Sequence, residues 1–266
     1  MDNAILWNEY TYRKQTYAQL AQKYNCSIRT IQRHLDKVQI KYRPIQIKHT
    51  YIIMDTTYFG RKFGLMVFMD YITKRVIYYQ VVHYETNNLY RIGISIIKSK
   101  GINIQSITCD GRRGLINSFN EPTQLCQFHQ QQIITRYLTR KPKHIASQSL
   151  RKIALQLTKI DKNTFKSLLS DWYETHQDYL KERSINLETG KTWYTHKRLR
   201  SAYRSLNNNI DYLFVYQEKD NQGIPNTTNA LEGMFSELKR QLNCHKGLNY
   251  QRKLKFINHF LSKRKA

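Results

Sequence analysis

Three short apolar runs follow one another between residues 51 and 84, and this succession limits the fold more than any other feature of the sequence. They read "YIIMDTTYFG", "FGLMVFMDYI" and "RVIYYQVVHY". Each is rich in β-branched and aromatic residues, which suit a pleated, half-buried surface. Gly60 to Gly64 and Thr73-Lys74 supply turns, so the spacing predicts an antiparallel meander. "NNLYRIGISIIKSKG", residues 87–101, then carries apolar residues at helical spacing and stops at Gly101. "INIQSITCDG" reads as a fourth strand, "RRGLINSFN" as a short helix, and "TQLCQFH" as a fifth strand running into Cys126 and His129.

The order is therefore strand, strand, strand, helix, strand, short helix, strand. That is the ribonuclease-H-like order, an α/β fold whose mixed sheet joins three antiparallel strands to two added ones. Asp55 falls at the end of the first strand and Asp110 just after the fourth. In an open α/β sheet, neighbouring strand ends set side chains next to one another. Two carboxylates at one edge repel unless cations sit between them. Mg²⁺ prefers oxygen ligands and binds through one or two carboxylates plus phosphate oxygens, which makes it the expected partner. Asp70, near the end of the second strand, reads as a structural residue.

The charge balance points to a polyanionic partner. Lys plus Arg number 44 against 19 for Asp plus Glu, a net charge of +25, and the basic residues run the whole length of the chain. A folded chain with this field attracts nucleic acid, where phosphate neutralisation supplies most non-specific affinity. No apolar run is long enough to span a membrane, so no membrane partner is expected. Cys26, Cys109, Cys126 and Cys244 are few and scattered, which suits a reducing cytoplasm.

Residues 17–38 read "YAQLAQKYNCSIRTIQRHLDKV". Leu20, Ala21 and Tyr24 take helical spacing, Asn25 suits a left-handed turn, and Ser27 suits an N-cap. Ile28, Ile31 and Leu35 are expected inside the second helix, with Arg29, Thr30, Gln32 and Arg33 outward. This is a helix-turn-helix pattern, and those four side chains have the chemistry for base edges and phosphates. Pro44 disfavours helix at Arg43 and marks a boundary. The expected organisation is a helix-turn-helix DNA-binding domain over residues 1–43 and a catalytic domain over residues 44–266.

The stretch from about residue 130 to 225 has helical periodicity with basic outer faces and no convincing strand pair before "DYLFVYQ", so an α-helical insertion is expected. A loop broken by Gly223 and Pro225 leads into "TTNALEGMFSELKRQL", residues 227–242. Its Leu231, Phe235, Leu238 and Leu242 form one apolar stripe, which would aim Glu232 at the strand ends. Asn229 lies one turn earlier as a supporting residue, and Glu237 is read as solvated. Asp55, Asp110 and Glu232 are thus the candidate catalytic and metal-holding acids.

At this point the chain resembles the mutator-like bacterial insertion-sequence transposases of the DDE type. The matching pieces are "MDTTYFGR" around Asp55, "TCDGRRGL" around Asp110, "CQFH" from Cys126 to His129, "NALEGMFSELK" around Glu232, and "HKGL" near the C-terminus. The resemblance implies Mg-dependent cleavage and strand transfer at element ends, with two Mg²⁺ ions held by the three acids and Mn²⁺ as a substitute. It implies that Cys126 and His129 support the active site; two soft ligands alone do not make a structural zinc site, although Cys109, His144 or His245 are available to join them. Arg112 and Arg113 would hold phosphates. The implied partners are terminal-repeat and target DNA and a second copy of the chain or more, at the bacterial nucleoid. A non-catalytic DNA-binding regulator and a plain ribonuclease-H-like nuclease are the alternatives.

Overall fold

The computed structural model describes residues 1–40, 46–218, 223–245 and 247–264. The boundary expected at Arg43-Pro44, and Lys246 of "HKGL", lie outside the described residues.

The predicted meander forms as β1 (His49–Phe59), β2 (Phe63–Asp70) and β3 (Val76–Val82). Helix α4 (Asn87–Ser99), capped by Thr86, returns the chain to β4 (Asn103–Cys109). A 3₁₀ turn over Ile116–Ser118 leads to β5 (Thr123–Leu125). The sheet order is β3-β2-β1-β4-β5, with β1 antiparallel to β2, β2 antiparallel to β3, and β4 parallel to both β1 and β5. That is the ribonuclease-H-like arrangement the strand succession predicts. Asp70 closes the β2–β3 turn as a structural residue: it is buried and accepts from Thr50 Oγ1 at 2.8 Å, Thr73 N at 2.7 Å and Thr73 Oγ1 at 2.7 Å.

Each face of the sheet carries its own apolar cluster, because side chains alternate along a strand. Ile52, Met54, Met66 and Phe68 pack on α4 and on the helical insertion. Ile53, Leu65, Val67 and Met69 pack on the C-terminal helices and the N-terminal helices. The insertion comprises α5 (Gln127–Leu138), α6 (Ile145–Leu155), α7 (Lys162–Lys181) and α8 (Lys197–Leu213). It differs from expectation in two places. A two-stranded hairpin, β6 (Arg183–Ile185) with β7 (Thr192–Tyr194), sits between α7 and α8. "DYLFVYQ" instead finishes α8 and makes a 3₁₀ turn over Val215–Gln217. The hairpin strands have three residues each, too few for alternation to show against the helices around them. The fifth strand also ends earlier than expected, at Leu125, so Cys126 is the N-cap of α5 and His129 lies in its first turn.

At the N-terminus, α1 (Asn3–Thr11) precedes α2 (Tyr17–Lys23) and α3 (Ile28–Lys37). Asn25 has φ +48° and Ser27 Oγ accepts from Thr30 N at 3.1 Å, which gives the predicted turn and cap. Ile31 and Leu35 are buried, but Ile28 is 46 % exposed and does not enter the core. It is the first residue of α3 and precedes the turn that packs. Arg29 and Arg33 are exposed, and Thr30 and Gln32 half-buried, on the same helix. These helices dock on α10 (Tyr250–Ser262). Arg252 donates to both Asp36 oxygens at 2.9 and 2.7 Å, and Lys255 Nζ donates to the carbonyls of Leu35 and Asp36 at 2.8 and 2.7 Å. Trp7 meets His259 edge-on at 5.3 Å. Among the described residues no helix is long and apolar enough to cross a membrane.

The tightest approach between α4 and the sheet is at Gly93, where an added Cβ would fall 2.2 Å from Phe68 Cζ. Phe68 is fully buried and cannot swing aside cheaply. Gly93→Ala should therefore lose about 1–3 kcal/mol to overpacking, outweighing the roughly 1 kcal/mol that alanine gains in a helix. A lower thermal midpoint than the parent checks this; a higher one shows that α4 sits off the sheet.

Candidate active site

The parallel register of β1 and β4 decides where the first two acids lie. Tyr51 pairs with Ser106, Ile52 with Ile107 and Ile53 with Thr108. Two further steps in that direction bring Asp110, the first residue after β4, beside Asp55, near enough for its charge to act on the Asp55 carboxyl. Asp55 is not at the end of its strand, as the sequence suggested, because β1 runs on to Phe59 and pairs Asp55 with Val67 of β2. It is the β1–β4 ladder that stops beside it. Asp55 shares the face of Ile53, which is the face covered by α9 (Asn229–Asn243). Asp55 Oδ1 accepts from Thr56 N at 2.8 Å, and Asp110 Oδ1 from Arg112 N at 3.3 Å.

The third acid comes in on a strap pinned at every step. Thr108 Oγ1, two residues before Asp110, donates to Pro225 O at 2.8 Å. Gln127 N donates to Asn226 O at 2.9 Å, and Asn226 Nδ2 returns to Gln127 Oε1 at 3.0 Å. Thr228 gives both its backbone N–H and its hydroxyl to Cys126 Sγ, each at 3.3 Å. α9 then starts on the Thr228 carbonyl, and Leu231, Met234, Phe235 and Leu238 bury its apolar stripe. This sets Glu232 in the first turn, with its Oε1 3.2 Å from His129 Nε2. That oxygen is buried and has no hydrogen-bond partner of its own.

His129 therefore meets Glu232 directly, while Cys126 holds Thr228 at the start of the same helix. Burial opposes a charge on His129, but the Cys126 sulfur, Asp55 and Glu232 outweigh it and push its pKa up to about 9. Burial alone would raise the Cys126 thiol; His129 and Thr228 hold it below its ordinary value. Asp55 is pushed up to about 7, first by burial and then by the carboxylates of Asp110 and Glu85, against the pull of His129 and the Thr56 N–H.

Glu85 is the acid that the sequence did not single out. It precedes α4 in a loop with no periodicity, so only the return of α4 to the sheet brings it near the other acids. Tyr90 Oη donates to its Oε1 at 2.6 Å, and Arg112 Nη1 lies 3.5 Å from its Oε2. Burial, and then the charge of Asp110, raise its pKa against the Tyr90 hydrogen bond. Arg112 also donates to Asn87 Oδ1 at 2.9 Å and to Glu85 O at 2.6 Å, so its guanidinium is engaged within the chain, whereas Arg113 is exposed. Asn229 is exposed at the first position of α9. Glu237 is partly exposed, as expected, and also has partners: it accepts from Gln241 Nε2 at 3.0 Å and pairs with Arg264 beyond α10.

Among the described residues no three His, Cys, Asp or Glu side chains already form a metal-ligand cluster. The donor chemistry nevertheless fits a divalent cation. Asp55 and Asp110 share an edge, Asp55 resists ionisation, and Glu232 keeps a buried oxygen with no hydrogen-bond donor. Each of these liabilities is relieved by a cation.

No family model and no curated protein matches the sequence. Similar solved structures include a chain of the simian T-cell lymphotropic virus intasome in complex with the PP2A regulatory subunit B56 gamma, at 11 % identity over 76 % of this chain and 68 % of that one, with a TM-score of 0.23. Two others are HTLV-2 integrase catalytic core domains in complex with magnesium. The dimeric form matches at 15 % identity over 57 % of this chain and 99 % of that one, TM-score 0.25. The trimeric form matches at 18 % identity over 56 % and 96 %, TM-score 0.21. With superpositions this loose, the fold rests on strand order and register.

The raised pKa of Asp55 has a stability consequence. A carboxyl that ionises near 7 when folded and near 3.8 when unfolded gives stability present below the lower value and lost as pH rises through the upper one. Asp55→Asn should therefore melt higher than the parent at pH 8, with the gap closing as pH falls toward 4. Added Mg²⁺ should raise the parent's melting temperature at pH 8 and move the variant much less. Melting curves with and without the cation at both pH values check this, and a parent insensitive to the cation at pH 8 counts against the site.

Proposed function

We propose that this chain is a DDE transposase of the mutator-like insertion-sequence kind, cutting DNA at element ends and joining the freed end to a target. The observation that carries the reading is the convergence of three acids far apart in sequence. Asp55 on β1 lies beside Asp110, just past the end of the neighbouring β4, and Glu232 enters on the strap that Cys126 anchors, which supports the reading.

Asp55, Asp110 and Glu232 would hold two Mg²⁺ ions, or Mn²⁺, which when bound neutralise the attacking and leaving oxygens of an in-line phosphoryl displacement. The chain's own residues supply the positioning. His129, cationic at neutral pH with a pKa of about 9, faces Glu232 Oε1 at 3.2 Å and would orient it. Cys126 fixes the start of α5 against the strap, so His129 and Glu232 move as one unit. Arg113, exposed three residues after Asp110, is placed to meet a phosphate, while Arg112 braces Glu85.

The N-terminal helices would read the terminal repeat through Arg29, Thr30, Gln32 and Arg33, as a domain over residues 1–43 joined to the catalytic domain over residues 44–266. Two element ends have to be held together, so a dimer or larger assembly on DNA is expected. A chain of net charge +25 belongs with the nucleoid in the cytoplasm.

The test is cleavage of DNA carrying the repeats that flank the chain's own gene, with and without Mg²⁺. The unmodified chain should cut at the repeat end, and Asp110→Asn should abolish cutting while DNA affinity stays within about twofold, since removing a transition-state interaction need not weaken ground-state binding. If Asp110→Asn still cuts, the site is wrong. If the unmodified chain binds the repeat and never cuts with Mg²⁺ or Mn²⁺, it is a regulator on a nuclease-like fold.

A further inference from the structure

A cavity of about 600 Å³ opens beyond the acids, between the β1–β2 turn and the junction of α9 with α10. Arg61, Lys62, Lys239 and Lys253 line it, with Phe59 and His245 among the apolar and aromatic residues of its wall. None of the four cations makes an ion pair among the described residues. Their neighbours behave differently: Arg252 is tied to Asp36 and Arg264 to Glu237. Lys239 lies 6.0 Å from the centre of the Phe59 ring, an aromatic contact that leaves its charge unneutralised.

His245 gives a second, independent sign. It is 6 % exposed and lines the cavity, and among the described residues no side chain bonds either ring nitrogen, the Tyr10 backbone being the one group that bonds the ring. Its ring faces are covered by Tyr10 at 4.1 Å and Phe256 at 5.4 Å between centroids, which fixes its plane. A buried imidazole has two ring nitrogens to satisfy, and the one that Tyr10 does not meet is left for a group that enters the cavity. The residue belongs to the "HKGL" stretch, whose Gly247 and Leu248 also line the cavity.

We propose that this cavity is a phosphate-backbone groove that grips duplex DNA on one side of the cutting site. The inference rests on the transposase reading for its substrate. Asp55 and Phe59 lie on one face of β1, so the strand itself measures the distance from the acids to the groove. The four residues from Asp55 to Phe59 span about 13 Å of strand. Duplex DNA advances about 3.4 Å per nucleotide along one strand, so the groove holds backbone about four nucleotides from the scissile phosphate. Four unpaired cations meet phosphate oxygens there, and His245 adds a donor at the floor. Interactions of this kind position the duplex without reading its sequence.

The experiment is a salt titration of duplex binding without divalent ions, using the repeat flanking the chain's own gene. Each phosphate that the protein no longer neutralises flattens the plot of log affinity against log salt by about 0.9. Arg61→Ala/Lys239→Ala should flatten it by about two units, as should the independent pair Lys62→Ala/Lys253→Ala. Arg91→Ala/Lys100→Ala removes the same charge from α4 and its end, on the opposite face, and should leave the slope unchanged. Melting temperatures of all variants confirm that each is folded. Equal slopes for the groove pairs and the parent, or an equal drop in the α4 pair, overturn the groove. A parent that binds with the expected slopes but never cuts sinks the transposase reading and leaves the groove standing.

Discussion

The site depends on a short strap, residues 224–228, being laid across the ends of β4 and β5. Three anchors hold it: the Thr108 hydroxyl on Pro225 O, the Gln127–Asn226 pair, and Thr228 on Cys126 Sγ. Cys126 and Thr228 are both buried, so these bonds form where water cannot compete for their groups. Thr228 spends its hydroxyl on the sulfur and not on capping α9, the helix it begins. A free N-terminal turn tolerates this, because its backbone N–H groups have solvent or a nearby acid to face. The geometry that results is what lets an acid 122 residues after Asp110 reach the same edge of the sheet; the separation is 232 minus 110.

Gathering acids at one edge creates a problem that the fold answers with two internal cations, His129 and Arg112. Asp55, Asp110, Glu85 and Glu232 all act on one another or on His129. Burial makes the repulsion worse at Asp55, and its carboxyl resists ionisation as a result. His129 is placed in the first turn of α5 and is held there by the same Cys126 that anchors the strap. One element thus both positions Glu232 and supplies its counter-charge. Arg112 does the matching work for Glu85, through two hydrogen bonds and an ion pair that also tie the loop after β4 to the start of α4.

The sheet was legible because its runs are rich in β-branched and aromatic residues and are bounded by turn residues. Val76–Val82 and Asn103–Cys109 fall where those runs and turns put them. Asp55 and Asp110 were legible for the same reason, since register follows from strand order. Glu85 was not, because the residues around it carry no period and its neighbours are set by α4 and by Arg112, 27 residues later in the chain. The Arg264 partner of Glu237 was not legible, because it lies 27 residues away, past a helix whose docking the sequence does not specify. Ile28 was misread because one apolar residue at a helix start fits the inward stripe equally well in either rotation. The hairpin between α7 and α8 was hidden by its brevity.

The surplus of positive charge divides by task. Arg252, Lys255 and Arg264 are committed inside the molecule, where they fasten α10 and its end to the N-terminal helices and to α9. Arg61, Lys62, Lys239 and Lys253 stay uncommitted around one cavity. Those cations do little for the acids themselves. About 13 Å of strand separates Asp55 from Phe59, more than the Debye length of about 8 Å at physiological ionic strength, so exposed charges at the groove are largely screened from the carboxylates. The acids have to be balanced locally, by His129 and by whatever cation they bind. The groove is then free to act on a different charge, one that arrives from outside and extends far enough to touch both places. A rod of phosphates meets that requirement, whereas a small anion held in the groove would leave the acids untouched.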